Sequence, residues 1–241
     1  MPRYLAIELS QTESRVLLAR TGSGGVVVEQ AFCVPLESEG DKPGVESLEA
    51  SVVAALAERG IARLPVIGVV GRGDVELRLL SLPPAPEDEL PDLVRFQAGR
   101  EFPNLETDAA LDFLPLEDAA DQPRRILTAV LKPGVADRFS RVCDSAKLSL
   151  ARLVFHPAAV ASLLLRRRPD LESGWCLVMD ILDGQAELAA IRNGRIVFSR
   201  HVLLPDGLPD SVEATDAIGA EVRRTRAAAA NQEGVPPPDL A

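Results

Sequence analysis

The stretch CLVMDILDGQAELAAIRNGRIVFSRHVLL, residues 176–204, indicates three successive β-strands joined by two tight turns. Apolar residues fill the first strand, and the pair Asn193-Gly194 is typical of a two-residue hairpin turn. Backbone N–H groups at such a turn can bind an anion, and a carboxylate at the end of the strand can hold a metal-bound water. The candidate residues are Asp180, Asp183, Gly184 and Gln185. The alternative is an ordinary β-meander, in which these residues only end strands and form turns.

The beginning of the chain shows a similar pattern. Residues 4–10, 15–20 and 25–34 predict three strands in succession, and the first hairpin carries hydroxyl and carboxylate side chains that can serve an anion site. These side chains belong to Glu8, Ser10, Thr12 and Ser14. Here too, polar strand ends and turns are the alternative. A helical spacing of apolar residues follows both sets of strands, so the chain contains an internal echo of a βββ-α unit.

The remaining elements follow from hydrophobic spacing and from turn residues. Further strands are predicted at residues 65–71, 75–83, 109–116, 124–132 and 150–155. Helices are predicted near residues 45–59, 87–99, 134–147, 157–168 and 210–231. The resulting order is βββ-α-ββ, an inserted α-β-β-α-β-α unit, and a second βββ-α. This order indicates the α/β class with a partly antiparallel sheet.

Composition excludes several functions. The formal net charge is −10 and the sequence pI is near 4.8, which argues against a nucleic-acid binder. The three cysteines are far apart and have no metal-binding or disulfide spacing. The chain shows no signal peptide and no apolar run of the ~20 residues that a membrane helix needs, so we expect a cytoplasmic protein. It contains no P-loop, HExxH, GxSxG or CxxC motif, and we expect no metal site. We expect no enzyme, with a weak ATPase possible only if the nucleotide site is intact.

Four stretches together resemble the PilM-type, actin-like assembly proteins of type IV pili. The cytoplasmic domain of the GspL-type secretion proteins is a more distant resemblance. The stretches are LAIELSQTESRVLLA at 5–19, LRLLSLPPAPEDELPDLVRFQAGREFPNLETDAALDFLPL at 77–116, the second hairpin at 176–202, and IGAEVRRTRAAAANQ at 218–232. The second stretch is the most specific, because it contains Leu82-Pro83, Phe102-Pro103 and Asp112-Phe113 in the family's order. The third includes the triplet Phe198-Ser199-Arg200.

The resemblance implies an actin-like, ribonuclease H-like α/β fold built from βββ-α subdomains with an inserted α+β subdomain. The implied boundaries are residues 1–83 for the first subdomain, completed by about 133–170, residues 84–132 for the inserted subdomain, and residues 171–241 for the start of the second. The second half would then be truncated, because the chain stops before the family's adenosine-contacting segment.

Departures from the family pattern fall at both hairpins. Glu8 replaces the usual Asp and Ser10 the usual Gly in the first hairpin, and Leu182 replaces the Gly of the second. Where the backbone must approach a phosphate closely, a side chain in place of glycine costs about 1 kcal/mol or blocks the approach. We therefore expect a degenerate nucleotide site and no firm cofactor, with MgATP possible. If nucleotide does bind, the implied residues are Ser10, Thr12, Ser14 and Asp180.

The resemblance also implies a function and a partner. We expect a cytoplasmic scaffold of a type IV pilus or type II secretion-like assembly, held at the inner membrane by a PilN-like protein whose cytoplasmic N-terminal peptide it binds. The implied contact residues in the inserted subdomain are Leu93, Phe96, Phe102 and Phe113, and the alternative is that all four are core residues. The second hypothesis is an ATP-binding, actin-like switch protein that needs a longer chain.

Overall fold

The computed structural model describes residues 1–10, 13–35, 45–103, 105–117, 122–182, 185–204 and 212–234. The strands are β1 (Arg3–Leu9), β2 (Glu13–Gly22), β3 (Gly25–Pro35), β4 (Pro65–Val70), β5 (Val75–Leu82), β6 (Leu111–Pro115), β7 (Arg124–Leu131), β8 (Ser149–Phe155), β9 (Trp175–Leu182), β10 (Gln185–Arg192) and β11 (Arg195–Leu203). The α-helices are α1 (Val45–Glu58), α2 (Leu90–Glu101), α3 (Val135–Ser145), α4 (His156–Arg167) and α5 (Val212–Glu233).

The predicted order of elements is confirmed, including the repeated βββ-α pattern. The main difference in helix bounds concerns α2, which begins at Leu90 and not at residue 87. Pro91 lies in its first turn, where a missing backbone N–H has no intrahelical partner to lose, so this proline favours a helix start. Residues Arg72–Asp74, between β4 and β5, form a short 3-10 turn.

The chain divides into two compact units, a first unit of Met1–Gly71 with Pro133–His156 and a second unit of Arg72–Lys132 with Pro157–Ala241. The first unit contains a five-stranded sheet in the order β3-β2-β1-β4-β8. Its first three strands are antiparallel neighbours, whereas β4 runs parallel to both β1 and β8. The buried side of β1 carries Leu5, Ile7 and Leu9, which alternate with less buried residues as a half-buried strand requires.

The second unit contains two three-stranded antiparallel sheets. One has the order β5-β7-β6 and the other β11-β10-β9. Helix α2 packs on the first of these sheets, where Leu90, Val94 and Ala98 join a hydrophobic cluster with Leu80 and Ile126. Helix α5 packs on β10 and β11. In the part of the chain described by the structure, no helix combines the length and the apolar character needed to cross a membrane.

Strand β5 pairs with a strand of the predicted inserted segment. The sequence analysis assigns residues up to 83 to the first subdomain, whereas β5 pairs with β7 from Val75 opposite Leu131 to Leu82 opposite Arg124. It therefore belongs to the same sheet as the predicted inserted segment, because hydrogen bonding to β7 satisfies its backbone groups. The division into three subdomains stays a prediction.

Gly68 lies in β4, next to side chains of α3 and β8. A Cβ at this position would lie 2.5 Å from Cδ2 of Leu153 and 2.8 Å from Cδ1 of Phe139. Non-bonded contacts this short are essentially never seen at a Cβ, so any side chain at position 68 would force Leu153 and Phe139 to move.

We predict that Gly68→Ala lowers the free energy of unfolding by about 1–3 kcal/mol, because the added methyl forces Leu153 and Phe139 apart. Gly99→Ala is the matched control, since its Cβ would have no atom within 4 Å and alanine favours a helix by up to about 1 kcal/mol. Urea denaturation followed by circular dichroism measures both variants. Equal effects of the two substitutions would contradict the packing argument.

Candidate functional site

Ser10 closes the turn of the first hairpin. Its hydroxyl donates to the backbone carbonyl of Glu13 at 2.7 Å and accepts the backbone N–H of Glu13 at 3.1 Å. The backbone N–H of Ser10 donates to the same carbonyl at 3.0 Å. The hydroxyl group that the sequence suggests for a phosphate thus takes part in the turn itself. Thr12, the next candidate, lies outside the described residues.

Ser14 is fully buried in β2. It pairs with Leu9 of β1 and with Val34 of β3, and its exposed fraction is 0%. Its hydroxyl has no hydrogen-bond partner in the part of the chain that the structure describes. A buried hydroxyl without a partner costs about 1–3 kcal/mol. In this conformation Ser14 is therefore a core residue with an unsatisfied polar atom.

Glu8 occupies the position at which the resembling family has Asp. Its carboxylate forms an ion pair with Arg15 on the neighbouring strand, with 3.2 Å between Oε2 and Nη1. The two residues are direct cross-strand neighbours, and Arg15 also pairs with Glu13 at 2.6 Å. Arg15 thus partly neutralises two carboxylates of the hairpin, which lowers their attraction for a cation.

Asp180 lies in β9 of the second unit, whereas Ser10 and Ser14 lie in the first. It stands opposite Glu187 of β10, and Glu187 stands opposite His201 of β11. Gln185 contacts His201, with 2.8 Å between Oε1 and Nε2. Asp183 and Gly184 lie outside the described residues. Among the residues that are described, no three His, Cys, Asp or Glu side chains are grouped to hold a metal ion.

Arg72 anchors the 3-10 turn to this sheet, a role that the sequence analysis does not predict. Its backbone N–H donates to Oε1 of Glu187 at 2.6 Å, and its Nε donates to the carbonyl of Ser199 at 3.0 Å. Its Nη1 donates to the carbonyl of Val75 at 2.6 Å. Burial lowers the pKa of this guanidinium, and the carboxylates of Glu187 and Glu76 oppose that shift. No sequence signal marks this contact, because it depends on the strand register.

The four residues expected to contact a partner have different environments. Phe102 is 3% exposed and belongs to the core beneath α2, with the guanidinium of Arg78 5.3 Å from its ring centre. Leu93 and Phe113 are partly buried against the same core. Phe96 is 67% exposed on α2, with the guanidinium of Arg100 5.6 Å from its ring centre. Phe96 is therefore the member of this set that can be buried by a partner without rearrangement of the core.

The segment of sequence that contains Phe96 is strongly acidic. Residues 84–121 contain 11 Asp and Glu residues and only two basic residues, Arg95 and Arg100, so they carry −9 of the total net charge of −10. Arg95 is engaged with its own chain, because its guanidinium donates to the carbonyls of Thr107 and Ala109 at 3.2 and 3.3 Å. An exposed aromatic ring on an acidic segment favours a basic partner segment with an apolar anchor.

Arg124 is a buried residue that the sequence analysis misses. Its side chain is 1% exposed, and it donates to the carbonyl of Ala85 at 3.1 Å and to the carboxylate of Glu87. These contacts fasten the proline-rich segment that precedes α2 to β7. An arginine in a predicted strand gives no indication that it faces the core, because its charge usually places it on the surface.

We predict that Phe102→Ala lowers the free energy of unfolding by about 3–5 kcal/mol, whereas Phe96→Ala changes it by less than about 0.5 kcal/mol. Only Phe102 leaves a cavity, since the ring of Phe96 lies at the surface. Chemical denaturation of the two variants measures the difference. A large loss of stability in Phe96→Ala would show that its ring has a packing role in the free protein.

Comparisons with known proteins agree with this architecture. No family model and no curated protein matches the chain. Among solved structures, it is similar to a PilM-PilN type IV pilus biogenesis complex, with a TM-score of 0.70 and 20% identity over 95% of this chain and 71% of the other.

Two further structures are similar. The cytoplasmic domain of EpsL, an inner-membrane component of the type II secretion system of Vibrio cholerae, has a TM-score of 0.52 and 12% identity over 83% of this chain and 71% of the other. A Bacteroides thetaiotaomicron protein with an actin-like ATPase fold has a TM-score of 0.50 and 9% identity over 97% of this chain and 77% of the other. The predicted resemblance is confirmed at the level of the fold, and the chain has an actin-like fold.

Proposed function

We propose that this protein is a cytoplasmic scaffold of a type IV pilus or type II secretion-like assembly and not an enzyme. The observation that carries the proposal is the similarity to the PilM-PilN complex, which extends over 95% of the chain. A scaffold of this kind is held at the inner membrane by a partner. We propose that the partner is PilN-like and that the scaffold binds its cytoplasmic N-terminal peptide.

The proposed docking surface consists of the exposed Phe96 with the partly buried Leu93 and Phe113. Phe102, although predicted, is left out because it belongs to the core. Three observations support this surface: the exposure of the Phe96 ring, the open space beside Gly99 one turn further along α2, and the negative charge of residues 84–121. Apolar anchors commonly carry most of the affinity of a bound peptide, and charge complementarity speeds its association.

The same reasoning defines the chemistry of the peptide. It should carry an aromatic or aliphatic anchor that covers Phe96, with Lys or Arg residues flanking the anchor. Asp88, Glu89 and Asp92 precede Phe96 on the same segment, and none of them has a basic partner among the described residues. Their charges are therefore available to such a peptide, and its affinity should fall as the salt concentration rises.

Isothermal titration with the N-terminal peptide of a PilN protein tests this proposal. We expect saturable binding to the wild-type chain and a loss of at least about tenfold in affinity for Phe96→Ala, because an anchor contact contributes about 2 kcal/mol or more. The matched control is Leu163→Ala, which removes an apolar side chain of similar exposure, 61%, from α4. A scrambled peptide of the same composition separates sequence-specific binding from charge attraction. Absence of binding, or equal losses in both variants, would contradict the proposal.

We propose further that the nucleotide site is degenerate. The contacts that support this are the hydroxyl of Ser10 used in its own turn, the buried hydroxyl of Ser14, and the ion pair between Glu8 and Arg15. Each side chain would have to leave its present partner or position before it could contact a phosphate. The alternative is an ATP-binding switch that uses Ser10, Thr12, Ser14 and Asp180.

Titration with MgATP distinguishes these two functions. For a degenerate site we expect no binding heat and no change in melting temperature, with Mg²⁺ alone as the control. A nucleotide that binds only the folded protein raises its stability by about 2.7 kcal/mol at 100 times its dissociation constant. Saturable binding that is weakened in Ser10→Ala would support the switch and overturn the degenerate site.

A further inference from the structure

Strand β3 forms one edge of the five-stranded sheet in the first unit. Along one side it pairs with β2, from Pro35 opposite Glu13 to Gly25 opposite Gly22. Within the described part of the chain, no strand pairs with its other side. A row of backbone N–H and C=O groups is therefore open to another extended strand.

Three consecutive valines lie on this edge, and we call residues 26–28 the valine edge. Val26, Val27 and Val28 are 63%, 48% and 53% exposed. Successive residues of a strand point to opposite faces, so this segment presents apolar surface on both faces of the sheet. β-Branched residues favour strand pairing, particularly when each meets another apolar residue across the strands.

The valine edge lacks most of the usual protection, although a β-bulge lies directly beside it: Val28 is opposite Ala19 and Gln30 is opposite Leu18, so Glu29 has no partner in β2. Natural edge strands are commonly blocked by lysine, by proline or by a charge that points inward. Residues 26–28 contain no charge and no proline, whereas β8 at the opposite edge of the sheet carries the exposed Arg152. The two edges therefore differ in their capacity to accept another strand.

We propose that two copies of this chain associate through antiparallel pairing of their β3 strands about a twofold axis at Val27. This register places Val27 of each copy opposite Val27 of the other, and Val26 opposite Val28. The sequence of the valine edge is thus complementary to itself. Because both copies use the same surface, the contact closes as a dimer and does not extend into a fibre.

The charge of the first unit allows a second copy to occupy this edge. The first unit contains 10 Lys and Arg residues and 11 Asp and Glu residues, a net charge of −1, although the chain as a whole carries −10. Glu29, the charged residue next to the valine edge, pairs with Arg3 at 2.8 Å and lies 3.9 Å from Arg20. The proposed register pairs residues 26–28, and Glu29 lies in the adjoining bulge, outside the paired residues. No unpaired like charges therefore face each other across the proposed pair of β3 strands.

The pairing predicts a weak and concentration-dependent dimer. Stable protein interfaces bury about 1,200–2,000 Å² in total, whereas one short pair of edge strands buries less. The backbone hydrogen bonds supply direction and the valines supply apolar burial. A strand from a different protein is the competing occupant, and it would leave the chain monomeric on its own.

Sedimentation velocity over a wide range of protein concentration tests the proposal. We expect the wild-type chain to dimerise reversibly and Val27→Lys to raise the dissociation constant by about tenfold or more, because two lysines would meet at the axis. Leu163→Lys is the matched control for an added charge at an exposed apolar residue, and it should leave the constant unchanged. Unaltered melting of Val27→Lys would confirm that the variant is folded. A wild-type chain that stays monomeric, or equal effects of both lysines, would overturn the proposal.

A cross-linking experiment tests the register independently. In a Cys33→Ser background, which removes the exposed native thiol of β3, Val27→Cys should form a disulfide-linked dimer on mild oxidation. Residues directly opposite in an antiparallel pair have Cβ atoms about 4.5–5.5 Å apart, which is close enough for a disulfide after small adjustments. Leu163→Cys in the same background should not cross-link. A dimer that forms without the disulfide through residue 27 would contradict the proposed twofold axis.

Discussion

The first unit depends on strand β1, which pairs with an antiparallel strand on one side and with a parallel strand on the other. β1 runs antiparallel to β2 and parallel to β4, so its register sets the position of both strands. Leu5 and Ile7 have no exposed surface, and a shift of one residue would turn them to the other face. The same register brings Glu8 opposite Arg15, which determines the electrostatics of the first hairpin.

In the second unit, ion pairs to a buried glutamate hold the end of helix α5 in place. The side chain of Glu233, at the end of α5, is 2% exposed and lies 2.8 Å from both Arg125 and Arg192. Burial lowers the pKa of Arg125, but hydrogen bonds to Glu117 and Glu233 outweigh it and raise the pKa above its usual value. Glu233 is the buried member of this network, since the side chains of Arg125 and Arg192 are 33% and 32% exposed, and the two ion pairs fasten the end of α5 to β7 and β10.

Charge is distributed unevenly between the two proposed interaction surfaces. Residues 84–121, the segment that contains the exposed Phe96, hold most of the negative charge, whereas the first unit, with the valine edge, is nearly neutral. A negative surface attracts a basic peptide and repels a second copy of itself, and a neutral apolar edge does neither. The two proposed interactions would therefore rest on different physical forces.

Hydrophobic periodicity and turn residues in the sequence determined the α/β class, the order of strands and helices, and the repeated βββ-α pattern, whereas the actin-like fold was implied by the resemblance of four stretches to a known family. The tertiary structure alone decided which of the chosen residues are accessible. Helical spacing places Phe96 and Phe102 in one segment, but only packing distinguishes the exposed ring from the core ring. The contacts of Arg72, Arg124 and Glu233 were likewise unpredictable, because their partners are distant in sequence and meet only when the strand registers are set. Local patterns report local backbone preference, whereas burial and ion pairing depend on contacts between distant parts of the chain.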